Sequence, residues 1–596
     1  MLNQKNIKCD LCVIGGGLSG MTAAIAAARE GIKVVLMHER PMLGGNASSE
    51  IRMWVSGAKG ENNLETGIIE EIALENCYRN PTRNYPVWDS ILYDFVKREK
   101  NITLLLNCTC MDADITKGEF QDGRNVKINS VKGYQMTTQC FYTVEAKYFC
   151  DSSGDSILAP LCDAEFRLGR ESRDEFGETT QVTVADDMTM GMSCLVFGRE
   201  TDKKIDFIAP EWAAKLTDEH FEDESRDPDP YEHTQNYWYL ELGGNRDTIG
   251  ETEKIRDELL SLALGTWDYI KKSKKCNAEN WDLDFLGFLP GKRESRRMCG
   301  EYMITQRDIS DGKVFEDEIA FGGWPVDDHF PAGFYHKGTP NTDIQTPAPY
   351  SIPYRALYSK NVENLYFAGR NISMTHTAMS SIRVMATCAL LGQAVGKAAA
   401  VATQKGITPH GVYCNHLELL QDLLMNEDSF LPNFRRKISD TCKNADLSGA
   451  DDRIRNGQDR PHRIYDTNND NFACKVKANA EVSYTFEKSN VKSVHITFDS
   501  DLNRDTLEGS WVERQRGTRA NVRLNSPQMT MPKTLCKEFK LIGELNGKQE
   551  ELLNVTNNRK RAYHLELNKK FDKLTLIPVC DWGGNEQITV ASFDFC

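Results

Sequence analysis

Apolar and polar positions near the N-terminus predict a strand, a helix and a second strand in close succession. Residues 10–14 form a short apolar run that favours a strand, residues 19–30 form an Ala-rich stretch that favours a helix, and residues 33–38 form a second apolar run. The three glycines of residues 15–17 lie in the turn between the first strand and the helix. This order of elements predicts an α/β fold with a parallel, Rossmann-like sheet.

The pattern beyond this unit predicts a domain that is interrupted in sequence. Residues 1–167 continue with a helix near 88–99, a strand at 102–107 and a β excursion to about residue 146. Residues 361–428 add a late strand, a helix of small residues over 378–402 and another helix over 412–425. We expect these two segments to form one Rossmann-like domain, and residues 168–360 to form an inserted α+β domain that supplies a substrate pocket.

The sequence changes character after residue 428. Residues 429–471 are polar, acidic and Asn-rich and predict a linker, whereas residues 472–596 contain alternating runs at 491–498, 540–544, 564–567 and 574–579. Such alternation between Asn, Asp and Gly turns predicts an antiparallel β-sandwich. We expect it to be separable from the preceding domains unless it covers an apolar face of the first domain. With Trp582-Gly583-Gly584 before its last strand, this region resembles the galactose-binding-like modules of carbohydrate enzymes. A sandwich that only caps the enzyme or forms a dimer contact fits the same pattern.

Composition narrows the function classes. The 596 residues carry a formal charge of −15, which argues against binding to a nucleic-acid backbone. We find no apolar stretch of membrane-span length and no signal peptide in residues 1–8, so a cytoplasmic enzyme is expected. The 18 cysteines do not repeat at metal-ligand spacing, and Cys9 and Cys12 flank the first strand as small apolar residues. No metal or iron–sulfur cluster is therefore expected.

The glycine turn and a later acidic residue carry the most specific chemical signal. Gly15 allows the tight turn, Gly17 lets the backbone approach a pyrophosphate, and Gly20 lets the helix and strand pack closely. The helix N-terminus then faces the phosphates, and Glu39 follows the second strand, where a carboxylate accepts the ribose hydroxyls. The pattern predicts binding of a dinucleotide.

Three further segments distinguish which dinucleotide is bound. Residues 40–46 (Arg-Pro-Met-Leu-Gly-Gly-Asn) resemble the stretch by which two-dinucleotide-binding flavoproteins wrap FAD. Residues 146–155 resemble the strand and turn that close over the flavin adenosine, and residues 364–371 resemble the late strand of that fold. Together with residues 44–52 and 293–297, they make the chain similar, from about residue 8 to 405, to the FAD-dependent oxidoreductase family. Its distant relatives include the heterodisulfide reductase flavin subunit and the fumarate reductase flavoproteins, so the resemblance implies FAD and redox chemistry without naming a substrate.

The motifs and the resemblance imply a set of cofactor-binding residues in these loops. They are Gly15, Gly17, Leu18, Ser19, Gly20, Glu39, Arg40, Gly44, Gly45, Asn46, Ser48, Arg52, Gly154, Asp155, Gly369 and Arg370. We find no second fingerprint for a nicotinamide dinucleotide, so the electron acceptor stays open among a quinone, a carrier protein and dioxygen.

Two histidines and a group of arginines are the candidates for catalysis. His376 follows the late strand of the dinucleotide fold, and His329 lies in an aromatic loop of the insertion that also contains His336. An imidazole with a near-neutral pKa suits proton transfer to or from a substrate hydroxyl. Arg293 and Arg296 form a cationic group suited to a carboxylate, to sugar hydroxyls or to the flavin edge. Ordinary loop histidines and structural Arg–Glu ion pairs fit the same residues.

We expect an FAD-dependent oxidoreductase that oxidises a hydroxyl of a small polar or carbohydrate-derived substrate, such as a sugar or glycoside, by hydride transfer. Reduction of an unsaturated carboxylic acid is a second hypothesis, favoured by the arginines and the fumarate reductase resemblance. A lyase or hydrolase that uses FAD for transient oxidation is a third, and a carbohydrate-binding protein with a vestigial flavin fold is a fourth. The dimer-contact alternative for the sandwich leaves a homo-oligomer open.

Overall fold

The computed structural model describes residues 2–231, 236–461, 472–504 and 521–596. The first part of the chain is built around a sheet. In chain order it contains β1 (Asn3–Ile14), α1 (Leu18–Arg29), β2 (Val34–Met37), α2 (Ile68–Arg79), α3 (Tyr85–Lys97), β3 (Ile102–Leu105), β4 (Cys108–Lys117), β5 (Val126–Gln135), β6 (Cys140–Asp151), α4 (Leu158–Cys162) and β7 (Phe166–Arg167). The strand order is β3-β2-β1-β6-β5-β4. The first three strands and β6 pair in parallel, whereas β4, β5 and β6 form antiparallel pairs. The predicted Rossmann-like sheet is confirmed.

The inserted region carries short strands and one long helix. It contains α5 (Arg173–Phe176), β8 (Met192–Ser193), β9 (Val196–Glu200), β10 (Glu241–Leu242), α6 (Thr252–Lys272), β11 (Trp281–Leu286), β12 (Gly291–Lys292), β13 (Arg297–Met298), α7 (Gln306–Ser310), β14 (Glu318–Gly322) and β15 (Tyr350–Pro353). Its own core packs around α6, where Trp267 and Trp281 are fully buried. The small paired strands between these elements bring loops distant in sequence close together.

The chain then returns to the first sheet. The elements are β16 (Leu365–Phe367), α8 (His376–Ile382), α9 (Met385–Lys405) and α10 (Pro409–Asn426), and β16 pairs in parallel with β6. The predicted single helix over 378–402 is wrong, because Val384 adopts extended backbone angles (φ −64°, ψ 142°) that separate α8 from α9. Small residues allow close helix packing: a Cβ added to Gly392 would lie 2.0 Å from Ser19 O.

The expectation that the chain has no apolar stretch of membrane-span length is corrected by the length and composition of helix α9. By length and composition Met385–Lys405 is long and apolar enough to cross a membrane. Every residue from Ala386 to Ala402 is buried inside the protein, which is the environment of a core helix.

The last part of the chain is an antiparallel sandwich. It contains α11 (Asp440–Asn444), β17 (Asp446–Ser448), β18 (Cys474–Lys477), β19 (Val482–Phe498), β20 (Cys536–Leu545), β21 (Lys548–Val555), β22 (Ala562–Asp581) and β23 (Gln587–Phe595). Among the described residues its strands are hydrogen-bonded in the order β18-β23-β19-β22-β20-β21, with β17 paired to β19 off this path. Part of the predicted linker belongs to this sheet, because β17 pairs with β19. The rest of that linker includes residues 462–471, which lie outside the described residues.

The sandwich is docked on the first domain by polar and apolar contacts. Leu74 of α2 packs into the hydrophobic core of the sandwich. Arg504 pairs with Glu70 at 2.6 Å, and the buried guanidinium of Arg561 pairs with the buried carboxylate of Asp428. These contacts favour a sandwich that is not separable, because removing it would expose Leu74 and leave buried carboxylates without their cations. The expectation of a separable module stays a prediction that truncation tests.

Candidate active site

Neighbouring atoms require glycine at two of the three key positions of the glycine turn, Gly15 and Gly20. Gly15 has φ +105°, and a Cβ there would lie 2.2 Å from Ser152 O. A Cβ at Gly20 would lie 1.9 Å from Gly15 O. The fold itself therefore requires glycine at these two positions, as the sequence predicted for a tight turn and close helix packing.

Gly17 differs, because the protein alone gives no reason for a glycine there. Its backbone angles are ordinary (φ −67°, ψ 174°), and an added Cβ would meet only the Cα of Gly45, at 3.8 Å. Gly17 is the N-cap of α1, no side chain caps this helix, and Leu18 and Ser19 begin it. The first amide N–H groups of a helix lack intrahelical acceptors. An open face next to these groups is suited to a pyrophosphate.

Buried polar atoms around this turn also lack hydrogen bonds, although two nitrogens of Arg40 lie 3.6 and 3.7 Å from the carboxylates of Glu39 and Glu50. Among the described residues, the hydroxyls of Ser19 and Ser48, Nε and Nη1 of Arg40, and Nε of Arg370 are buried without a hydrogen-bond acceptor or donor. Since buried polar groups in folded proteins are nearly always hydrogen-bonded, such a cluster indicates a polar ligand. Hydroxyls and guanidinium groups are partners that a dinucleotide requires, so the residues present fit the FAD implied by the resemblance.

Glu39, the acidic residue predicted to bind the ribose, is accessible to a ligand. The Glu39 side chain is 43% exposed, and its carboxylate lies 3.6 Å from Arg40 Nε. The loop of Gly44 and Gly45 runs back to the turn, where Gly44 N donates to Gly16 O at 2.8 Å. Glu39 and the two glycines therefore lie next to the same turn, which suits binding of the ribose by this carboxylate.

The predicted turns at residues 146–155 and 364–371 meet at the carboxylate of Asp155. Asp155 accepts hydrogen bonds from Lys292 Nζ at 2.6 Å, Arg370 Nη2 at 2.9 Å and Ser295 Oγ at 2.8 Å. Asp155 and Arg370 follow Gly154 (φ +84°) and Gly369 (φ +116°), the glycines predicted in these turns. The structure thus brings residues of two distant segments together and adds Lys292, which the sequence did not indicate.

Arg52 departs from its predicted role. Its guanidinium stacks on the rings of Tyr85 and Phe285, 4.6 and 4.1 Å from their centroids, and lies 3.5 Å from Asp284. These contacts place Arg52 between the first domain and the insertion, and its predicted role in cofactor binding stays a prediction.

A cavity of about 690 Å³ is lined by Asn46, in the loop that follows Gly44 and Gly45, and by residues of the insertion. Its volume lies within the range of small-molecule sites. Asn46 and Arg370 of the predicted cofactor set line one part of it, and insertion residues line another. The aromatic and charged lining residues are Trp54, Trp238, Trp324, Phe330, Lys59, Lys292, Arg293, Arg370, Arg383, Asp327, His329 and Asp343.

His329 lines this cavity and is held by a carboxylate. Its Nδ1 lies 2.6 Å from Glu241 Oε2, its Nε2 lies 3.4 Å from Asp327 Oδ1, and its ring contacts Trp238 edge to face at 5.3 Å. Burial alone would raise the pKa of Glu241, but Arg293 and His329 outweigh burial and hold that pKa below its usual range. An ionised Glu241 orients the imidazole.

His376 has a different environment. It is 1% exposed, is not among the residues that line the cavity, and bridges Glu294 Oε2 at 2.8 Å and Asp328 Oδ1 at 3.0 Å. Burial alone would lower its pKa, but the two carboxylates outweigh burial and raise the pKa of His376 to about 10. A raised pKa disfavours His376 as a base, and its two ion pairs lie outside the cavity lining, so the catalytic role predicted for His376 stays a prediction.

The two predicted arginines also separate. Arg293 lines the cavity, is 5% exposed, donates to Ser193 Oγ at 3.0 Å and lies 3.3 Å from Glu241. Arg296 is not among the lining residues; it donates to Asp155 O at 3.2 Å and covers the ring of Phe166. Arg293 therefore lies in the cavity wall and Arg296 lies at the turn of Asp155, and the catalytic role predicted for each stays a prediction.

Sequence reasoning missed several residues of this cavity. Glu241 is buried beside His329, Arg383 donates to Asp327 Oδ2 at 3.0 Å, and Lys59 lies over the ring of Trp324 at 4.7 Å. One available signal was Arg383, a charged residue within an apolar stretch that the sequence predicts as a single helix. The break at residue 384 explains this charge, because Arg383, Val384 and Met385, the first residue of α9, line the cavity there.

Comparison with known proteins shows the following similarities. A family model described as FAD dependent oxidoreductase matches residues 10–424, more than half of the chain. Over 66 residues the chain is 36% identical to glycerol-3-phosphate dehydrogenase of Mycobacterium leprae; this covers 11% of each protein, so the chain spans about a tenth of this curated relative. A solved geranylgeranyl bacteriochlorophyll reductase-like protein of Thermoplasma acidophilum is similar over 71% of this chain and 86% of its own, with 10% identity and a TM-score of 0.30. The GH31 CBM32-2 module bound to GalNAc is similar over 27% of this chain and 93% of its own, with 17% identity and a TM-score of 0.17.

Proposed function

The chain belongs to the FAD-dependent oxidoreductase family, and from this premise we propose that it oxidises a hydroxyl group of a small polar or carbohydrate-derived substrate. Bound FAD would supply the hydride acceptor. The first turn of α1, Ser19, Ser48 and Arg40 would hold the dinucleotide, since their open face and unpartnered polar atoms fit it. The cavity next to this loop would hold the substrate.

The observation that carries the proposal is the His329–Glu241 pair in the cavity wall. Loss of a hydride from a carbon bearing a hydroxyl requires that the hydroxyl proton also leave. With Glu241 accepting from Nδ1, the Nε2 atom of His329 can take that proton. Arg293 lies 3.3 Å from Glu241 and helps to keep that carboxylate ionised. The pair therefore has the orientation that a general base requires.

Reduction of an unsaturated carboxylic acid is the second candidate. It is favoured by the cations of the cavity wall, Lys59, Lys292, Arg293, Arg370 and Arg383, which suit a carboxylate substrate. In that direction a protonated His329 would donate the proton. The electron acceptor, the cytoplasmic location and binding of sugars by the sandwich remain predictions from the sequence.

Anaerobic stopped-flow measurement of flavin bleaching tests the proposal. The oxidised holoenzyme is mixed with hydroxy acids, polyols, aldoses and glycosides, and the dithionite-reduced holoenzyme is mixed with unsaturated acids. Bleaching of the oxidised enzyme supports hydroxyl oxidation, whereas reoxidation by an unsaturated acid alone supports the reductase.

Variants of two histidines in one loop then identify the base. We expect His329→Gln to slow bleaching by about 100-fold to 10,000-fold with FAD still bound. His336→Gln is the matched control, since the His336 ring stacks on Phe330 and is not among the cavity-lining residues. Rates of His329→Gln within a few-fold of the parent would contradict the assigned role of His329.

A further inference from the structure

The cations of the cavity wall are not equivalent. Four of the five lie within ion-pair distance of a carboxylate of the protein: Lys292 and Arg370 on Asp155, Arg293 on Glu241, and Arg383 on Asp327. Within the described parts of the chain, Lys59 has no carboxylate within ion-pair distance. Its ammonium lies 4.7 Å from the centroid of the Trp324 ring. Lys59 is thus the lining cation whose charge is available to a ligand.

Lys59 has a fixed position in the wall. Its amide N–H donates to Gly323 O at 3.1 Å, so its loop is tied to the chain just before Trp324. A Cβ added to Gly323 would lie 2.7 Å from the Cβ of Ala58, which shows how closely the two segments pack. The aromatic face beneath the ammonium restrains it without neutralising it.

The same wall connects Lys59 to the proposed base. Trp324 Nε1 donates to Asp327 Oδ2 at 3.2 Å, and Asp327 Oδ1 lies 3.4 Å from His329 Nε2. Lys59, Trp324, Asp327 and His329 therefore follow one another along one side of the cavity. The carboxylate of Asp327 is already bound by Arg383, so it does not satisfy Lys59. Asp343 also lines the cavity, but its carboxylate does not lie within ion-pair distance of Lys59.

We propose that Lys59 selects substrates that carry one carboxylate or phosphate in addition to the hydroxyl to be oxidised. This inference rests on the proposed function, in which His329 receives the hydroxyl proton. The anion would bind the ammonium of Lys59 while the hydroxyl lies at His329, beyond Trp324. A charge-assisted hydrogen bond to a partly desolvated ammonium favours an acid over its neutral analogue by about tenfold to a hundredfold.

Ligand binding to the oxidised holoenzyme tests this selection without requiring turnover. Glycerol, glycerate and glycerol 3-phosphate are titrated at low ionic strength, as are sorbitol and gluconate, and the perturbation of the flavin spectrum gives each dissociation constant. In the parent we expect the acids to bind about tenfold to a hundredfold more tightly than the polyols. The carboxylate and phosphate arms show which anion is preferred.

Two variants separate charge from packing. Lys59→Met removes the charge and keeps an unbranched apolar chain on Trp324, so we expect it to abolish the preference for acids. Lys59→Arg keeps the charge and should retain most of the preference. Flavin content and thermal midpoint should match the parent in both variants.

The outcomes distinguish this inference from the proposed function. A preference for acids that survives in Lys59→Met, or a parent that binds acids no better than polyols or binds neither, would overturn the role of Lys59. Acids that bind through Lys59 but never bleach the flavin would instead overturn hydroxyl oxidation. Bleaching by polyols that depends on His329 and not on Lys59 would leave the proposed function standing alone.

Discussion

Replacing Gly17 by valine tests the cofactor site without disturbing the fold. The added Cβ would lie 3.8 Å from its nearest neighbour, Gly45 Cα, and the backbone angles at Gly17 suit any residue. Steric strain in the cofactor-free protein should therefore be small. We expect the free energy of unfolding of the apoprotein to change by about 1 kcal/mol at most, the usual effect of an unfavourable N-cap residue.

The cost to cofactor binding should be much larger. The valine methyl groups would occupy the open face beside the first turn of α1, where the amide N–H groups are free to bind phosphate. A hydrogen bond to a charged group contributes about 1.5–3 kcal/mol, so losing two would cost about 3–6 kcal/mol. This corresponds to about a 100-fold to 10,000-fold weaker affinity for FAD.

The assay compares flavin content after purification and the affinity of the apoprotein for added FAD by calorimetry. Two other glycines are the controls. Gly118 is exposed, and a Cβ there has no atom within 4 Å, so Gly118→Val should keep full flavin content. At Gly20 the Cβ would lie 1.9 Å from a backbone oxygen, so Gly20→Val should fail to fold. A soluble Gly17→Val protein with full flavin content would refute the placement of the pyrophosphate.

Three further predictions follow from buried charges. His376→Gln should lower the free energy of unfolding by about 3–5 kcal/mol in denaturant titrations, since two carboxylates lose their shared cation; an unchanged midpoint would contradict the ion-pair role. Because the folded-state pKa of His376 is raised to about 10, its stabilising contribution should be complete below its ordinary value of 6.5 and decline as pH rises towards 10, and this part of the pH dependence of thermal unfolding should be missing in His376→Gln. A chain ending at residue 435 should aggregate or lose FAD, because Leu74 becomes exposed and Asp428 loses Arg561; a soluble, yellow product would show that the sandwich is dispensable.

Local sequence accounts well for the dinucleotide turn. The strand, turn and helix around Gly15 and Gly20 are neighbours along the chain, so their geometry is decided over a few residues and is written in glycine spacing and apolar periodicity. The alternating runs of the sandwich were readable for the same reason, although the runs at 564–567 and 574–579 proved to be one strand. Strand length and pairing depend on partners elsewhere in the chain, which a local pattern does not contain.

The active-site chemistry depended on contacts between distant segments. His376 and His329 are both histidines in loop-like sequence, and each lies beside two carboxylates. Only folding places His329 in the cavity lining and His376 outside it. Lys59 likewise became a candidate ligand-binding residue only because folding places its ammonium over the ring of Trp324, which is distant in sequence. The pKa of a side chain, and whether its charge is already paired, depend on which groups lie within a few ångströms of it. Folding creates that proximity. The sequence alone therefore determined the fold class and the cofactor, while the tertiary structure decided which side chains line the cavity.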